Sequence, residues 1–187
     1  MLLNIQRFGG RGSSSSYDYS KFSKSKIKAT LYHGTGKDFE SFENRHIGSS
    51  TGNNGDFGEG FYFTQNERLA EDYVRDETNN YASKGNVFEV KINTKNPFRW
   101  SSIKTEEQFN QFIKDFKIKN KDITWNRYNN EIHTMPNAKA SKDFARALKK
   151  KGYDGIVYQH QRGASEYVVF NSKQIKVINK KKYVRGE

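Results

Sequence analysis

The sequence has no cysteine, only two prolines and no long apolar run. Without cysteine the chain has no disulfides, no thiolate metal ligands and no cysteine nucleophile, and the compartment is left undecided. No apolar run approaches the ~20 residues that a membrane-spanning helix needs, so we expect no membrane contact. The apolar stretch in MLLNIQRF is too short for a signal peptide, and no small-residue cleavage site follows it. A chain made and kept in a cytoplasm, or packaged from one, is therefore expected.

Metal-binding and phosphate-binding motifs are missing as well. The four histidines, at positions 33, 46, 133 and 160, show neither HxH nor HExxH spacing, so we predict no metal site. Five glycines lie between positions 48 and 60, but they precede a strand, and no Gly-Lys-Ser/Thr follows them. A Rossmann or P-loop phosphate site needs glycines that open a helix. The glycines indicate instead a loop that needs positive φ or close backbone approach near a cleft.

What the sequence has in excess is positive charge and aromatic residues. Thirty-three Lys and Arg against 21 Asp and Glu give a formal charge of +12. Such a surface attracts nucleic acid, anionic cofactors or acidic partners, and it equally fits a solvated surface without a specific role. Aromatic residues make up 14% of the chain, which makes a folded domain credible although only 33% of residues are hydrophobic.

Composition divides the chain into a Gly/Ser/Lys-rich flexible leader over 1–25, a folded domain over 26–180 and a basic tail over 181–187. Ser141 is the expected N-cap of the last helix, and Gly152 is its expected stop. Strands mixed with isolated helices, without βαβ alternation, predict an α+β fold. The predicted strands are IKATLYHG, FYF, NVFEVKIN, GIVYQ, EYVVF and QIKVIN, and the predicted helices are NERLAEDYVRDETNNYA, TEEQFNQFIKDFKI and SKDFARALKKKGYDG.

Two polar residues stand out within the predicted strands. His33 ends the first strand and is followed at once by Gly34, although a lone histidine at a strand end is more often bonded to backbone than functional. Glu166 shares a strand face with Val168 and Phe170, and the other face of that strand is apolar too. A carboxylate there is costly unless it has a partner or a function. An exposed strand end is the alternative interpretation.

Four short motifs resemble those of ADP-ribosyltransferases of the His-Tyr-Glu class, the group that includes diphtheria toxin and the poly(ADP-ribose) polymerases. YHGT matches the family's His-Gly-Ser/Thr, with His33. GEGFYF matches its Gly-x-Gly-apolar-Tyr-Phe strand, with Tyr62, and Tyr73 follows at the family's spacing of eleven residues. EYVVF matches its Glu-Tyr-apolar-apolar strand, with Glu166. Each motif alone is weak, but four in order between residues 31 and 178 are fairly specific.

The resemblance implies an ADP-ribosyltransferase-like split β-sheet core with flanking helices and a central cleft for NAD, the co-substrate. Glu166 would hold a ribose 2′-hydroxyl and stabilise the positive charge that develops on the ribose. His33 would orient a ribose hydroxyl on the adenosine side. The tyrosines would stack on the nicotinamide ring, with a core role as their alternative. The implied catalytic residues are Glu166, His33 and Tyr62, and the implied NAD-binding residues are His33, Gly34 (through its backbone), Thr35, Tyr62, Phe63, Ala70 and Tyr73.

Two positions depart from the family pattern. Ala70 stands where the family often has a serine, three residues before the second tyrosine, which implies a looser hold on nicotinamide. Ala164 stands two residues before Glu166, so the Glu-x-Glu pair of arginine-modifying relatives is missing, which argues against an arginine acceptor. The sequence shows no acceptor site for a growing chain. The resemblance therefore implies mono-ADP-ribosyl transfer to a host protein, a ribonucleoprotein or a nucleic acid, without a metal or a membrane.

The ends of the chain carry a further resemblance. MLLNIQRFGGRGSSSS is similar to the leaders of phage head-associated proteins, and EYVVFNSKQIK is similar to the C-terminal end of ADP-ribosyltransferase domains in phage and polymorphic-toxin proteins. These similarities imply a phage or prophage effector that acts in the host bacterial cytoplasm, on a host or defence component, with virion packaging and delivery as one route. Two alternatives stay open: a phage structural or nucleic-acid-binding protein with an inactive cleft, and an NAD glycohydrolase.

Overall fold

The computed structural model describes residues 20–48, 55–75, 80–130, 135–159 and 165–186, so most of the predicted leader lies outside the described residues. Within these ranges no helix is both long and apolar enough to cross a membrane. The strands are β1 (Leu31–Thr35), β2 (Phe61–Thr64), β3 (Lys84–Ile92), β4 (Pro97–Arg99), β5 (Gly155–Tyr158), β6 (Glu166–Val169) and β7 (Ile175–Val184). The helices are α1 (Ser20–Ser23), α2 (Glu67–Asp72), α3 (Glu106–Asp115), α4 (Trp125–Asn130) and α5 (Ala138–Lys150).

The six predicted strands and three predicted helices are present, and β4, α1 and α4 are additional. The helix predicted over 66–82 is shorter than expected, because α2 ends at Asp72 and Arg75 pairs with Tyr81 in an isolated β-bridge. The predicted N-cap of α5 is wrong. Asn137 caps the helix, because its side-chain oxygen accepts the backbone N–H of Ala140 at 2.9 Å, and Ser141 lies inside the first turn. Gly152 follows the end of α5 with a φ of +83°, which confirms it as the stop. β7 continues to Val184, so it includes the first four residues of the predicted basic tail.

The strands form one mixed sheet in the order β4-β5-β6-β2-β1-β3-β7, which confirms the α+β prediction. β4 and β5 are parallel, and the other neighbours are antiparallel. β1 pairs with β3 along its whole length, whereas it pairs with β2 only at Tyr32 and Thr64. This near-separation divides the sheet into an aromatic half (β4, β5, β6 and β2) and a basic half (β1, β3 and β7). We call the point between them the split.

The apolar core is continuous on one face of the sheet and interrupted on the other. The helical face carries α3, α4 and α5 over the aromatic half, in a cluster that includes Phe144 and Val168, and a separate small cluster around Val87 over the basic half. The opposite face, which we call the loop face, has a single cluster that joins Phe88 of the basic half to Phe63 of the aromatic half. Side chains on the helical face at the split therefore lie between two cores.

Candidate functional site

Strand pairing places Glu166 at the split. Glu166 begins β6 directly opposite Thr64 of β2, and Thr64 is the residue that pairs with Tyr32 of β1. Tyr62 lies two residues before Thr64 on the same face, so it is a diagonal neighbour of Glu166, a relation that typically corresponds to about 7–8 Å. Glu166 is half-buried, and the three β6 residues that follow it are buried, as the strand pattern predicts.

The Tyr62 side chain is held at its hydroxyl end. The hydroxyl donates to the carbonyl of Gly58 at 2.7 Å and accepts the backbone N–H of Phe57 at 3.0 Å. Its ring packs against the cluster of the aromatic half. Burial raises the pKa of Tyr62 well above its usual value, and the charges of Glu166 and Asp56 raise the pKa further. Tyr62 is therefore a fixed, neutral aromatic ring at neutral pH.

Tyr73 comes to the same place from the basic half. It is the C-cap of α2, a helix that begins where the side-chain oxygen of Asn66 accepts the Leu69 N–H at 3.2 Å. Its side chain is more open than that of Tyr62, since the residue is 45% exposed. Partial burial raises the pKa of Tyr73 to about 12, with contributions from the charges of Glu166 and Asp56. The structure thus brings Tyr62, Tyr73 and Glu166 together.

Gly34 and Ala70 fix how α2 lies on β1. A side chain on Gly34 would meet the Ala70 carbonyl oxygen at 1.7 Å, so only glycine permits this contact between helix and strand. The Ala70 side chain is buried, and its carbonyl accepts the Tyr73 N–H at 3.0 Å. Extending the register beyond Tyr32 and Thr64 places Gly34 across the split from Tyr62. Gly34 and Ala70 therefore position Tyr73, whether or not they contact a ligand.

His33 links the two halves beyond their single paired position. Its Nδ1 lies 2.8 Å from the backbone carbonyl oxygen of Tyr62. A carbonyl only accepts, so Nδ1 carries the hydrogen and donates it. Burial lowers the pKa of His33 from 6.5, against the opposing effect of this hydrogen bond. The imidazole is therefore neutral at pH 7, and its Nε2 is left as an acceptor.

The other two expected NAD-binding side chains point away from Glu166. Phe63 is buried in the cluster of the loop face, with its ring centroid 5.7 Å from that of His33. Thr35 is buried as well, and its hydroxyl accepts the backbone N–H of Lys37 at 3.1 Å. Both side chains and the His33 ring lie on the loop face behind the split, whereas Tyr62 and Glu166 are on the helical face. His33 therefore reaches the split only through its hydrogen bond to the Tyr62 carbonyl.

The glycine loop, residues 55–60, has the positive φ angles that the sequence indicates. Gly55 has a φ of +73°, and Gly58 has a φ of +121°. At Gly60 a side chain would meet the carbonyl oxygen of Val169 at 2.7 Å. The Ser141 hydroxyl donates to the carbonyl of Gly55 at 3.1 Å. These close approaches are to α5 and β6, so the glycines are required by the packing of the protein itself.

Asp56 is a second carboxylate at this place, and the sequence pattern does not single it out. Its charge raises the pKa of both Tyr62 and Tyr73, as that of Glu166 does. The only signal in the sequence is its position in the glycine loop, directly before Phe57. This position matters in the structure because the neighbouring Phe57 donates its backbone N–H to the Tyr62 hydroxyl.

Metal ligands are not clustered in the part of the chain that the structure describes. No group of three or more His, Asp and Glu residues there is arranged to hold an ion. His133 and His160 lie outside the described residues. His33 and His46 are described, and His33 uses one ring nitrogen to bind backbone. The candidate site therefore consists of carboxylates and tyrosine rings on the helical face, with the neutral imidazole of His33 behind the split.

A cavity of about 610 Å³ lies beside the candidate site, at the end of α2. Arg75 lies two residues beyond Tyr73 and borders the cavity, with its guanidinium carbon 3.5 Å from the ring centroid of Tyr81. Neither Tyr62 nor Glu166 lines the cavity, so it is a neighbour of the candidate site and not its centre. Its lining consists of Gly36, Lys37, Asp38, Arg75, Tyr81, Ala82, Ser83 and Lys84.

Two solved structures are similar to the chain in shape. A crystal structure of an anti-CRISPR protein is 12% identical, covers 80% of this chain and 94% of its own, and has a TM-score of 0.45. The crystal structure of the M. tuberculosis MbcT–MbcA toxin–antitoxin complex is 11% identical, with coverages of 90% and 94% and a TM-score of 0.48. At these TM-scores neither similarity carries an argument. No curated protein matches the sequence significantly.

A family model supplies the identification. The model of ADP-ribosyltransferases in polyvalent proteins matches residues 15–184, which is nearly the whole chain. The match includes every residue of the candidate site and all seven strands. It supports an NAD-dependent ADP-ribosyltransferase activity in general. The chain belongs to the family of ADP-ribosyltransferases found in polyvalent proteins.

Proposed function

We propose that the chain is a mono-ADP-ribosyltransferase with a His-Tyr-Glu site, which transfers ADP-ribose from NAD to a host macromolecule. One observation carries the proposal: Tyr62, Tyr73 and Glu166 converge at the split, where the charge of Glu166 acts on both tyrosine hydroxyls. Family membership supports the reaction type. The role of each residue is inferred from its position and chemistry.

The residues around the split fit the parts of NAD. Tyr62 and the more exposed Tyr73 offer two aromatic rings from different elements, which suits stacking on a flat nicotinamide ring. Gly34 has no side chain, and α2 covers it on the helical face, so it offers a ligand only its backbone at the split. Nε2 of the neutral His33 is an acceptor suited to a ribose hydroxyl.

Glu166 is suited to the charge that the reaction creates. Bound NAD contributes a nicotinamide–ribose bond, and breaking this bond develops positive charge on the ribose. An ionised carboxylate that is already in position stabilises such charge without having to reorganise. Glu166 is held in position because β6 is paired on both sides, with Thr64 on one strand and Tyr158 on the other.

The proposed target is a protein, a ribonucleoprotein or a nucleic acid in a host bacterium. The formal charge of +12 supports a target with an anionic surface, because such a surface steers association. The resemblance of the first sixteen residues to phage head-associated leaders supports a phage-encoded effector, delivered with the virion or made in the host cytoplasm. The absence of the Glu-x-Glu pair speaks against arginine as the modified residue.

The test uses the full chain, labelled NAD and a bacterial lysate. We expect label on macromolecules with the unmodified chain and little label with Glu166→Gln. Separate digestion by protease and nuclease then identifies the acceptor, since label on protein survives nuclease only. Free ADP-ribose without a labelled macromolecule would indicate a glycohydrolase. A folded chain that releases no nicotinamide would contradict the proposal and favour an inactive cleft.

A further inference from the structure

The glycine loop gives the backbone of Asp56 a defined position. The Ser141 hydroxyl donates to the carbonyl of Gly55 at 3.1 Å, and the Met135 N–H donates to the carbonyl of Asp56 at 3.1 Å. Further along the loop, the Glu59 N–H donates to the carbonyl of Ser141 at 3.2 Å. The loop is thus tied to α5 and to the chain just before it, on both sides of Asp56.

The same loop surrounds the hydroxyl of Tyr62. The hydroxyl accepts from the N–H of Phe57 at 3.0 Å, and a side chain added to Gly55 would lie 3.0 Å from it. Both chain neighbours of Asp56 therefore approach the Tyr62 hydroxyl closely. The Asp56 side chain, which is half-buried, leaves the backbone between these two contacts.

Asp56 and Glu166 approach the same two tyrosines from different elements. The charge of each carboxylate raises the pKa of Tyr62 and of Tyr73. Glu166 comes from the start of β6 in the sheet, whereas Asp56 comes from the glycine loop beside α5. The site thus contains two carboxylates, and two carboxylates in different surroundings commonly take different roles in one reaction.

We propose that Asp56 is the general base that takes the proton of the acceptor. This inference rests on the proposed function, in which Glu166 stabilises the charge on the ribose. Strand pairing on both sides holds the backbone of Glu166 in place. In the proposed function its carboxylate stays ionised beside the ribose charge, so we assign the acceptor proton to another group. Among the described residues, Asp56 is the other carboxylate whose charge acts on both Tyr62 and Tyr73.

In the proposed step, the nucleophilic atom of the acceptor carries a proton. That atom forms a bond to C1′ of the nicotinamide ribose, while the bond from C1′ to the nicotinamide nitrogen breaks. The electron pair of the broken bond passes to the nicotinamide nitrogen, which becomes neutral. The proton passes from the acceptor to the Asp56 carboxylate and then to solvent.

The experiment compares water and azide as acceptors with the full chain, and it measures nicotinamide release. Water must lose a proton when it attacks, whereas the azide anion has none to lose. We expect Asp56→Asn to slow release in water by about 10²–10³, within the range typical of general-base catalysis. Azide should restore the rate of Asp56→Asn, with formation of the ribosyl azide. It should not restore Glu166→Gln, because that variant lacks stabilisation of the ribose charge.

Asp72→Asn is the matched control. Asp72 ends α2, and its charge also raises the pKa of Tyr73, but it is not part of the glycine loop. We expect this variant to keep the rate of the unmodified chain with both acceptors. Asp56→Asn should keep its affinity for NAD in calorimetry.

Two results would overturn the inference while leaving the proposed function intact. One is a normal rate of Asp56→Asn in water. The other is a rate that stays low in azide, whatever the affinity for NAD. If NAD binding is weakened as well, Asp56 only positions the loop around Tyr62. If the unmodified chain releases no nicotinamide with water, with azide or with the bacterial lysate, the proposed function fails, and the inference about Asp56 fails with it.

Discussion

The two halves of the sheet are built in different ways. The aromatic half has a large core on the helical face, in which Phe144 is fully buried and Trp100 stacks on Tyr128 with ring centroids 4.1 Å apart. Among the described residues, the basic half has only the small cluster around Val87 on that face. Its outer strand, β7, carries lysines that pair with acidic residues of nearby segments, as Lys181 does with Glu67.

The two halves of the sheet supply different residues to the candidate site. The aromatic half supplies Tyr62 and Glu166, which are held by hydroxyl hydrogen bonds and by strand pairing on both sides. The basic half supplies the more exposed Tyr73 and the backbone of Gly34. Glu166, which is assigned to charge stabilisation, thus lies in the more heavily packed aromatic half. The residues assigned to holding the nicotinamide come mainly from the basic half.

The largest expected contrast between the halves is in stability. Phe144→Ala removes a ring from the large cluster, and a Phe-to-Ala change in a core typically costs about 3–5 kcal/mol of unfolding free energy. Val87→Ala removes two methyl groups from the small cluster, for which we expect about 1.5 kcal/mol at ~0.8 kcal/mol per buried carbon. Denaturant unfolding of both variants measures the difference. Equal losses would show that the two cores contribute alike.

The next contrast is between two glutamates that lie in the same cross-strand row of the sheet, one in each half. Glu166 lies opposite Thr64 in the aromatic half, and Glu89 lies opposite Tyr32 in the basic half. Glu166→Gln should lower the rate of nicotinamide release by about 10²–10³, the usual effect of removing one electrostatic stabiliser. Its NAD affinity should change little, because the interaction is made mainly in the transition state. Glu89→Gln is the control and should keep its rate; a near-normal rate of Glu166→Gln would contradict the site.

The two tyrosines should separate binding from stability. Each ring is expected to contribute about 0.5–1.5 kcal/mol of stacking, so either Ala variant should weaken NAD binding by up to about tenfold. Tyr62→Ala should also lower the melting temperature, because its ring packs on the large cluster and its hydroxyl has two partners. Tyr73→Ala should leave the melting temperature nearly unchanged, since Tyr73 is exposed at the end of α2. Calorimetry with NAD and thermal unfolding of both variants test this contrast.

Much of the fold could be predicted from the sequence because the pattern that specifies it is local. The face that Glu166 shares with Val168 follows from strand periodicity alone, and the positive φ angles of the glycine loop follow from its composition. β4 was missed because it has only three residues and begins with Pro97. α4 was missed because its six residues have no helical apolar pattern, and its Tyr128 is held by stacking on Trp100, a distant contact.

The parts of the candidate site that were not predicted depend on contacts between distant segments. Ser141 reads as an N-cap in the sequence, yet Asn137 takes that place and the Ser141 hydroxyl binds the glycine loop. Asp56 gains its position through that loop and through Met135, which lies far along the chain. Phe63 matches the motif, but strand alternation turns its side chain to the loop face. No local pattern reports the contacts of Ser141 and Asp56, whereas the face of Phe63 follows from the period of the strand.

The smallest expected effect concerns His33, whose hydrogen bond to the Tyr62 carbonyl joins the two halves. Burial lowers the pKa of this imidazole from 6.5, so the folded protein favours its neutral form. As the pH falls below 6.5, His33 becomes protonated in the unfolded chain before it does so in the folded protein. The contribution of His33 to stability should therefore be complete above that pH and decrease below it, by at most about 1.4 kcal/mol per pH unit.

Replacement of His33 by Asn keeps an N–H donor for the Tyr62 carbonyl and removes the titration. The difference in unfolding free energy between the unmodified chain and His33→Asn should then be constant above pH 7 and should shift in favour of the variant toward pH 5. Denaturant unfolding at several pH values measures this difference. His46→Gln, at an exposed histidine away from the split, is the matched control for the loss of a histidine. A pH-independent difference for His33→Asn would show that its imidazole is not held neutral, and Nε2 would then lose its assigned role as an acceptor for the ribose.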